Sequence, residues 1–346
     1  PVVLGYRDPD VDYAVRKQIS SGASFSLATK LEAILAELLV EYIPCAEMVR
    51  FGKNGTDVTT AAVRIARAYT GRDRVIVEGY HGRSDWSIAN TASHVGVPQA
   101  VKELSIRHGV NDLTDIAAIV VENSAQNAFP ERLRALRLTC DEAGTILIFD
   151  EIKTGFRVHM GGCGALYGVK PDLACFGKAM GNGYPISALV GREDLMKVVK
   201  EDAFFSGTFF GDTIGLAAAI ATIKKMVDQN VIAHLNKVAD GINPGLDQHA
   251  AMLRGEVDFS KIGNLTTAKF RNPDLKAIYI QEMAQMGVLT LGEHGISYAF
   301  KEPEVERVLK AYRHTLDILK DCVKTPDRVH DYLKGEITGV SLRQSA

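Results

Sequence analysis

No stretch of this sequence is both long and apolar enough to cross a bilayer. The richest run, Gly215 to Ile223, is short and alanine-heavy. Residues 1 to 25 lack a basic start followed by an apolar block, so no secretory signal is read and a cytoplasmic setting is expected. Cysteine is scarce and scattered, at positions 45, 140, 163, 175 and 322. None forms a CxxC pair, and an odd number argues against a full disulfide framework. No metal-ligating set is read. Charge of one sign is also lacking: 40 Lys and Arg stand against 42 Asp and Glu, a formal net charge of -2. That balance excludes a general attraction to nucleic acid or to an anionic membrane. Internal repeats and low-complexity tracts are absent.

What is present is a folded-protein composition, 46% hydrophobic and 24% charged over 346 residues. The length suits two domains, or one large domain with an appendage. Glycine numbers 31 and gathers after position 150, which hints at backbone turns near a ligand.

Residues 10–19 carry helical spacing. Leu31, Ile34, Leu35, Leu38 and Leu39 recur at i, i+3 and i+4, so the spacing predicts a helix over 30–42, ended by Pro44. Beyond it, short apolar runs alternate with helical segments. Strands are expected at 48–51, 74–78, 117–121, 145–150, 173–176 and 186–190, with helices at 56–69 and 131–143. Apolar strands set between helices imply an α/β fold with a mostly parallel sheet covered on both faces. After about Leu216 the helical signal dominates, with helices at 231–243, 276–287 and 303–320 and short apolar segments such as Gly287 to Leu291. The expected organisation is a large domain over 45–225. Residues 1–44 and 226–346 are expected to form a smaller α+β domain.

Open α/β sheets bind ligands at the carboxyl ends of their strands, and three such ends carry chemistry. The first is Phe51-Gly52-Lys53-Asn54-Gly55-Thr56-Asp57. Gly55 permits a tight turn, Asn54 or Thr56 can cap the helix, and the free N–H groups there can hold a phosphate. A plain N-cap without ligand is the alternative. The second is Phe149-Asp150-Glu151, where an acid ends a buried strand and calls for a partner. That partner is either a capping or salt-bridging group or the cationic group of a cofactor. The third is the run from Cys175 to Pro185, which sets Lys178 between Phe176 and Met180 among glycines. A lone lysine is usually a solvated surface residue, but burial there would lower its pKa, as an imine-forming amine requires. A phosphate cradle, an acid for a ring nitrogen and an amine for a Schiff base together match what pyridoxal phosphate (PLP) needs.

Two segments carry a resemblance at this point: Ile148-Phe-Asp-Glu-Ile-Lys-Thr-Gly-Phe-Arg157, then Pro171-Asp-Leu-Ala-Cys-Phe-Gly-Lys-Ala-Met-Gly-Asn-Gly-Tyr-Pro185. The chain resembles the class III PLP-dependent aminotransferases of fold type I, nearest their glutamate-1-semialdehyde aminomutase-like branch, over most of residues 3 to 320. The resemblance implies that Lys178 forms the imine and shuttles the proton. It implies that Asp150 meets the pyridinium nitrogen, that Asn54, Gly55 and Thr56 hold the phosphate, and that Tyr80 of Tyr80-His81-Gly82 stacks on the ring, with His81 of the same motif among the cofactor-binding residues. Thr208 of Gly207-Thr208-Phe209 would reach the phosphate of a neighbouring subunit, which implies a homodimer. Glu122 would lie behind the groups that touch the cofactor. Asn127 corresponds to an asparagine near the ring hydroxyl, and Ser24 to a stretch that faces the substrate.

Each has a structural alternative: Tyr80 as core, His81 as a turn brace, Thr208 as a strand residue. Arg157 reads as structural, and His159 and Cys163 as loop residues.

Departures from the family accompany the match. Members usually carry further chain before the equivalent of Pro1. The connections around His108 to Asp115 and between Asn127 and Glu131 are short. Glu122-Asn123 stands for Glu-Pro, Asp212-Thr213 for Asn-Pro, and Arg83-Ser84 follows Gly82 where a bulky residue is frequent. Many class III enzymes grip a carboxylate with a C-terminal arginine, but the corresponding stretch, Gly287 to Tyr298, has none. That disfavours an ordinary α-amino-acid and α-keto-acid pair and leaves Arg83 as a substitute grip. The implied activity is amino-group transfer between small-molecule amines and carbonyls, or its intramolecular mutase form. A PLP racemase or epimerase on the same fold, which would exchange the α-proton without net transfer, and a non-catalytic scaffold are the alternatives.

Overall fold

Residues Pro1–Asn230 form one unit, and a second begins at Val231. The computed structural model describes residues 1–107, 112–124, 129–201, 203–253 and 255–335.

The first unit is built on a seven-stranded sheet: β1 (Met48–Gly52), β2 (Arg74–Glu78), β3 (Ser105–Ile106), β4 (Ile116–Glu122), β5 (Ile146–Asp150), β6 (Leu173–Phe176) and β7 (Ser187–Gly191). Their order across the sheet is β1-β7-β6-β5-β4-β2-β3. The β2–β3, β2–β4, β4–β5 and β5–β6 pairs are parallel, and β7 alone runs against both its neighbours. Every residue of β5 is buried. A strand without a wet side requires cover on both faces, which explains why the sequence reads as short apolar runs rather than alternation.

The helices of this unit are α1 (Pro9–Ile19), α2 (Lys30–Tyr42), α3 (Gly55–Thr70), α4 (Asp85–Ile88), α5 (Gln99–Leu104), α6 (Pro130–Ala143), α7 (Gly162–Tyr167), α8 (Glu193–Glu201) and α9 (Thr213–Asp228). Helix α3 buries Val58, Ala61, Ala62, Ile65 and Ala66 in the core that holds Val75, Val120, Ile148 and Leu189 of the sheet. Three of those five are alanine, so the helix axis can lie close to the strands. Ile65 and Val58 each contribute roughly 1.5–3 kcal/mol of burial. The helix stops at Gly71, whose left-handed φ of 66° ends the ladder.

Residues 1–44, expected with the smaller domain, belong to the first unit instead. Helices α1 and α2 pack on α9. Lys225 of α9 bridges Asp8 at 2.8 Å and Asp10 at 2.6 Å. Asn182, just past Lys178, accepts from Leu4 N at 2.8 Å and donates to Gly5 O at 3.2 Å. An amphipathic helix announces that it has a packing partner, not which one, so the sequence pattern left this choice open.

The second unit contains α10 (Val231–Ala250), α11 (Pro273–Gln285), α12 (Glu302–Lys324), α13 (Val329–Tyr332) and strands β8 (Val257–Ile262), β9 (Leu265–Phe270) and β10 (Glu293–Gly295). The strands form an antiparallel sheet in the order β10-β9-β8. The β8–β9 hairpin turns at Gly263-Asn264, with Gly263 at φ 52°. Gly287 to Leu291, apolar in sequence, is irregular, and Leu289 and Leu291 are exposed. No helix among the described residues is long and apolar enough to cross a membrane.

Candidate active site

Parallel strands deliver their last residues to one edge. Register places Glu122 of β4 beside Asp150 of β5, and Asp150 beside Cys175 of β6. The chain then leaves β6 through Gly177 into a single 3₁₀ turn that starts at Lys178. Lys178 has a left-handed φ of 41°. This is an uncommon backbone for a residue with a β-carbon, and such strain gathers at functional sites. The neighbours Phe176, Gly177 and Ala179 are buried, but Lys178 itself is exposed. The sequence had suggested a buried amine. The apolar setting belongs to its flanks, and the turn presents the side chain at the open edge of the sheet.

Asp150 is 4% exposed. Its Oδ2 lies 2.9 Å from His81 Nδ1, and its Oδ1 accepts from Ile152 N at 3.0 Å. The other ring nitrogen of His81 meets Glu78 O at 3.1 Å. Both neighbours of the ring are acceptors. The two contacts are satisfied together only when the imidazole carries both protons or a carboxyl proton lies between His81 and Asp150. The ring is held in place by Trp86, stacked at 5.9 Å and 13°. His81 thus joins the carboxylate of Asp150 to the backbone of Glu78, a contact beyond bracing a turn.

The β2 turn folds over the end of β4. Gly79 approaches Glu122 so closely that a β-carbon there would lie 2.4 Å from Glu122 Cβ. Tyr80 N donates to Glu122 Oε2 at 3.0 Å, and the Tyr80 ring is 37% exposed at the edge. Gly82 has a φ of 106°, and a β-carbon on it would fall 2.2 Å from Thr56 Oγ1. The same hydroxyl accepts from Arg83 N at 3.3 Å.

Thr56 stands in the first turn of α3. There Asp57 Oδ2 accepts from Lys53 N at 3.0 Å and Asn54 N at 2.7 Å, and Asn54 O accepts from Ser187 Oγ at 2.8 Å. The cap secures the N–H groups before the helix. Those of Gly55 and Thr56 begin it and have no acceptor within the helix. Ile152 ties the two turns together. A β-carbon on Gly55 would lie 3.3 Å from its side chain, and one on Gly177 3.1 Å. Lys53 also reaches across, donating to Pro185 O at 2.9 Å and pairing with Asp212.

These residues fit the group the sequence implies. A primary amine, a carboxylate braced on its far side, an exposed aromatic ring and the unpaired N–H groups of a helix start lie along one edge. Gly82 leaves the helix start no room for another side chain. Asn127 lies outside the described residues. Ser24 and Thr208 are exposed, and among the described residues neither makes a hydrogen bond to the cluster. Arg157 is buried and pushed down to about 10 by that burial, which suits a structural role.

A family model described as "Aminotransferase class-III" matches residues 1–113 and 97–305. The chain belongs to the class III aminotransferase family. This class III aminotransferase is 34% identical to the glutamate-1-semialdehyde 2,1-aminomutase of Pelotomaculum thermopropionicum, over 91% of the chain and 83% of that protein. It is 40% identical to the 3-aminobutyryl-CoA aminotransferase of Cloacimonas acidaminovorans, over 65% of the chain and 58% of that protein. The PLP internal aldimine form of the FumI protein of Sphingopyxis sp. MTA144 superposes with a TM-score of 0.83 at 27% identity, covering 94% of this chain and 84% of that one. The fold, the family and its aminomutase-like branch are those read from the sequence. Class III aminotransferases use PLP, and the chemistry is amino-group transfer or its mutase form. The two family matches overlap at 97–113, and the aligned length with the aminomutase, 361 positions, exceeds the 346 residues of this chain. The aminomutase therefore carries residues with no counterpart here.

One neighbour of the site escaped the sequence reading. Glu151 is buried and follows Asp150 just past the end of β5. It accepts from Asn123 Nδ2 at 2.8 Å, Cys163 N at 2.9 Å, Gly164 N at 3.0 Å and the hydroxyl of Thr154. Burial outweighs these donors and raises its pKa. Glu151 thus anchors the start of α7 to the end of β5. The available signal was an acid in a buried segment, followed after ten residues by Gly161-Gly162. A β-carbon on Gly162 would overlap the carboxylate.

Proposed function

We propose that the chain transfers amino groups between small-molecule amines and carbonyls through PLP held by Lys178, as a transaminase or as an intramolecular 2,1-aminomutase. The observation that carries the reading is the fixed carboxylate of Asp150, braced by His81, beside the strand β6, whose end leads through Gly177 into the turn that starts at Lys178. Bound there, PLP supplies an aldehyde for amines and an electron sink for the bond broken next to nitrogen.

Lys178 Nζ would hold the cofactor and would move the proton at the amino-bearing carbon of the substrate. Asp150 would pair with the ring nitrogen and retain its proton, and His81 fixes the orientation of the carboxylate. The N–H groups of Gly55 and Thr56 hold the phosphate, with Asn54 completing the turn. Tyr80 would stack on the ring, and Glu122 holds the Tyr80 backbone N–H. Asn127 is assigned to the ring hydroxyl. Arg83 and Ser24 lie on the substrate side. The working assembly is a cytoplasmic homodimer in which Thr208 serves the neighbouring subunit's phosphate.

The test is spectroscopic. Wild-type protein with PLP should show the visible absorbance of a lysine-linked cofactor, and Lys178→Ala should lose it. A panel of amines should then bleach that absorbance. Protein that never acquires the band, or that keeps it in Lys178→Ala, refutes the reading.

A further inference from the structure

Lys53 follows β1 directly and precedes the turn at Asn54–Thr56. Its N–H is held by Asp57 in the first turn of α3. Its side chain leaves that turn, donates to Pro185 O at 2.9 Å and pairs with Asp212. Pro185 ends the glycine-rich run that contains Lys178. Asp212 caps α9, accepting from Ile214 N and Gly215 N, each at 3.3 Å. One ammonium group therefore joins the turn before α3, the run that carries Lys178 and the cap of α9.

The cap is itself a fixed post. Thr213 N donates to Ala23 O at 2.9 Å, and the Thr213 hydroxyl donates to Gly22 O at 2.8 Å. A β-carbon on Gly215 would lie 2.7 Å from Pro185 O, so the first turn of α9 sits directly on that carbonyl. Helix α9 also packs on the 3₁₀ turn that starts at Lys178. The Lys53 and Asp212 side chains are only 23% and 15% exposed, which screens their attraction less than that of a surface pair. Asp212 stands where the family usually has Asn, so this charge pair is a feature of the present chain.

What such a bridge does follows from how the cofactor is held. PLP can be joined to Lys178, but pyridoxamine phosphate is an amine and cannot form an imine with a lysine. It must be kept by fixed donors alone, and a turn already locked in place loses less freedom on binding it. We propose that Lys53 is a positioning residue whose bridge to Asp212 and Pro185 locks the Asn54–Thr56 turn and so retains the cofactor when it is not joined to Lys178. This role rests on the amino-transfer reading and deepens it.

The experiment titrates the whole chain, stripped of cofactor, with pyridoxamine phosphate and separately with PLP. Lys53→Met should bind pyridoxamine phosphate ~10- to 100-fold more weakly than wild type, while saturating PLP still produces the lysine-linked absorbance. After a donor amine bleaches that absorbance, desalting should strip the variant of cofactor but not the wild type. Asp212→Asn keeps a side chain that can cap α9 and should reproduce the loss, and the double variant should be no weaker than either single one. Lys53→Arg, which preserves the ion pair, should recover most of the affinity. Should Lys53→Met yield no folded protein, Asp212→Asn carries the same test. Unchanged affinity for pyridoxamine phosphate overturns the proposal even where the melting temperature falls, because the bridge would then only support the fold. Weak binding by Lys53→Met with wild-type binding by Asp212→Asn also overturns it, since the ammonium would then serve the phosphate itself. A wild type with neither the absorbance nor affinity for pyridoxamine phosphate marks instead the failure of the amino-transfer reading, and the positioning role falls with it.

Discussion

Gly82 is the position at which the closeness of the β2 turn to the start of α3 can be measured. In Gly82→Ala the new β-carbon would sit 2.2 Å from Thr56 Oγ1, 3.0 Å from its Cβ and 3.1 Å from its Cα. The hydroxyl can rotate away, but Thr56 Cα belongs to the first turn of α3 and cannot. The backbone must also hold an L side chain at a φ of 106°, at roughly 1–3 kcal/mol. Loss of the Arg83 N–H to Thr56 Oγ1 bond adds about 1 kcal/mol. The expected destabilisation is about 2–4 kcal/mol. For a unit of this size that lowers the melting temperature by about 5–12 °C. Gly71→Ala is the control: its φ of 66° is also positive, yet nothing lies within 4 Å, so only the conformational part, about 1 kcal/mol, should appear. Thermal melts followed by circular dichroism read both, and PLP titration should show weaker binding for Gly82→Ala alone. In a Thr56→Gly background the clashes with the Thr56 hydroxyl and Cβ should vanish, while the 3.1 Å approach to Cα stays. If Gly82→Ala melts with Gly71→Ala and binds PLP as wild type does, the close approach is refuted.

Asp150→Asn should fold normally by circular dichroism but lose at least ~100-fold in kcat, because a neutral amide no longer retains the ring proton. Unchanged turnover would remove the carboxylate from the chemistry. Glu151 has a raised pKa, so the stability linked to its proton is complete below its ordinary carboxylate range and is lost as pH rises through the raised value. Glu151→Gln should flatten that fall in urea titrations across pH, while lowering stability throughout by leaving the N–H groups of Cys163 and Gly164 poorly matched. An unaltered pH slope would contradict it. Asn182→Gly keeps the left-handed turn but releases Leu4 and Gly5. Limited proteolysis near the amino terminus should speed up while the cofactor absorbance persists. Equal cleavage rates would show that the segment is held elsewhere.

The central sheet was readable because its strands are buried on both sides and separated by helices with clean apolar faces. The expected strand at 74–78 and helix at 30–42 coincide with β2 and α2. The hairpin β8–β9 was not, because β8 places partly exposed residues between buried ends and so shows no period of two. Asp150, Lys178 and the turn at Asn54–Thr56 were legible because each lies at or just past the end of a strand. The His81–Asp150 contact links residues far apart in sequence, and only the parallel packing of β2, β4 and β5 makes them neighbours. The exposure of Lys178 was misjudged because flanking apolar residues report on the backbone, not on where a long side chain emerges.

Ile152 has a wider bearing. One aliphatic group fills the space between Gly55 and Gly177. Enlarging or trimming it would shift the Asn54–Thr56 turn and the Gly177–Lys178 turn in concert. Attempts to retune this enzyme for bulkier cofactor analogues would have to treat those two loops as a single mechanical part.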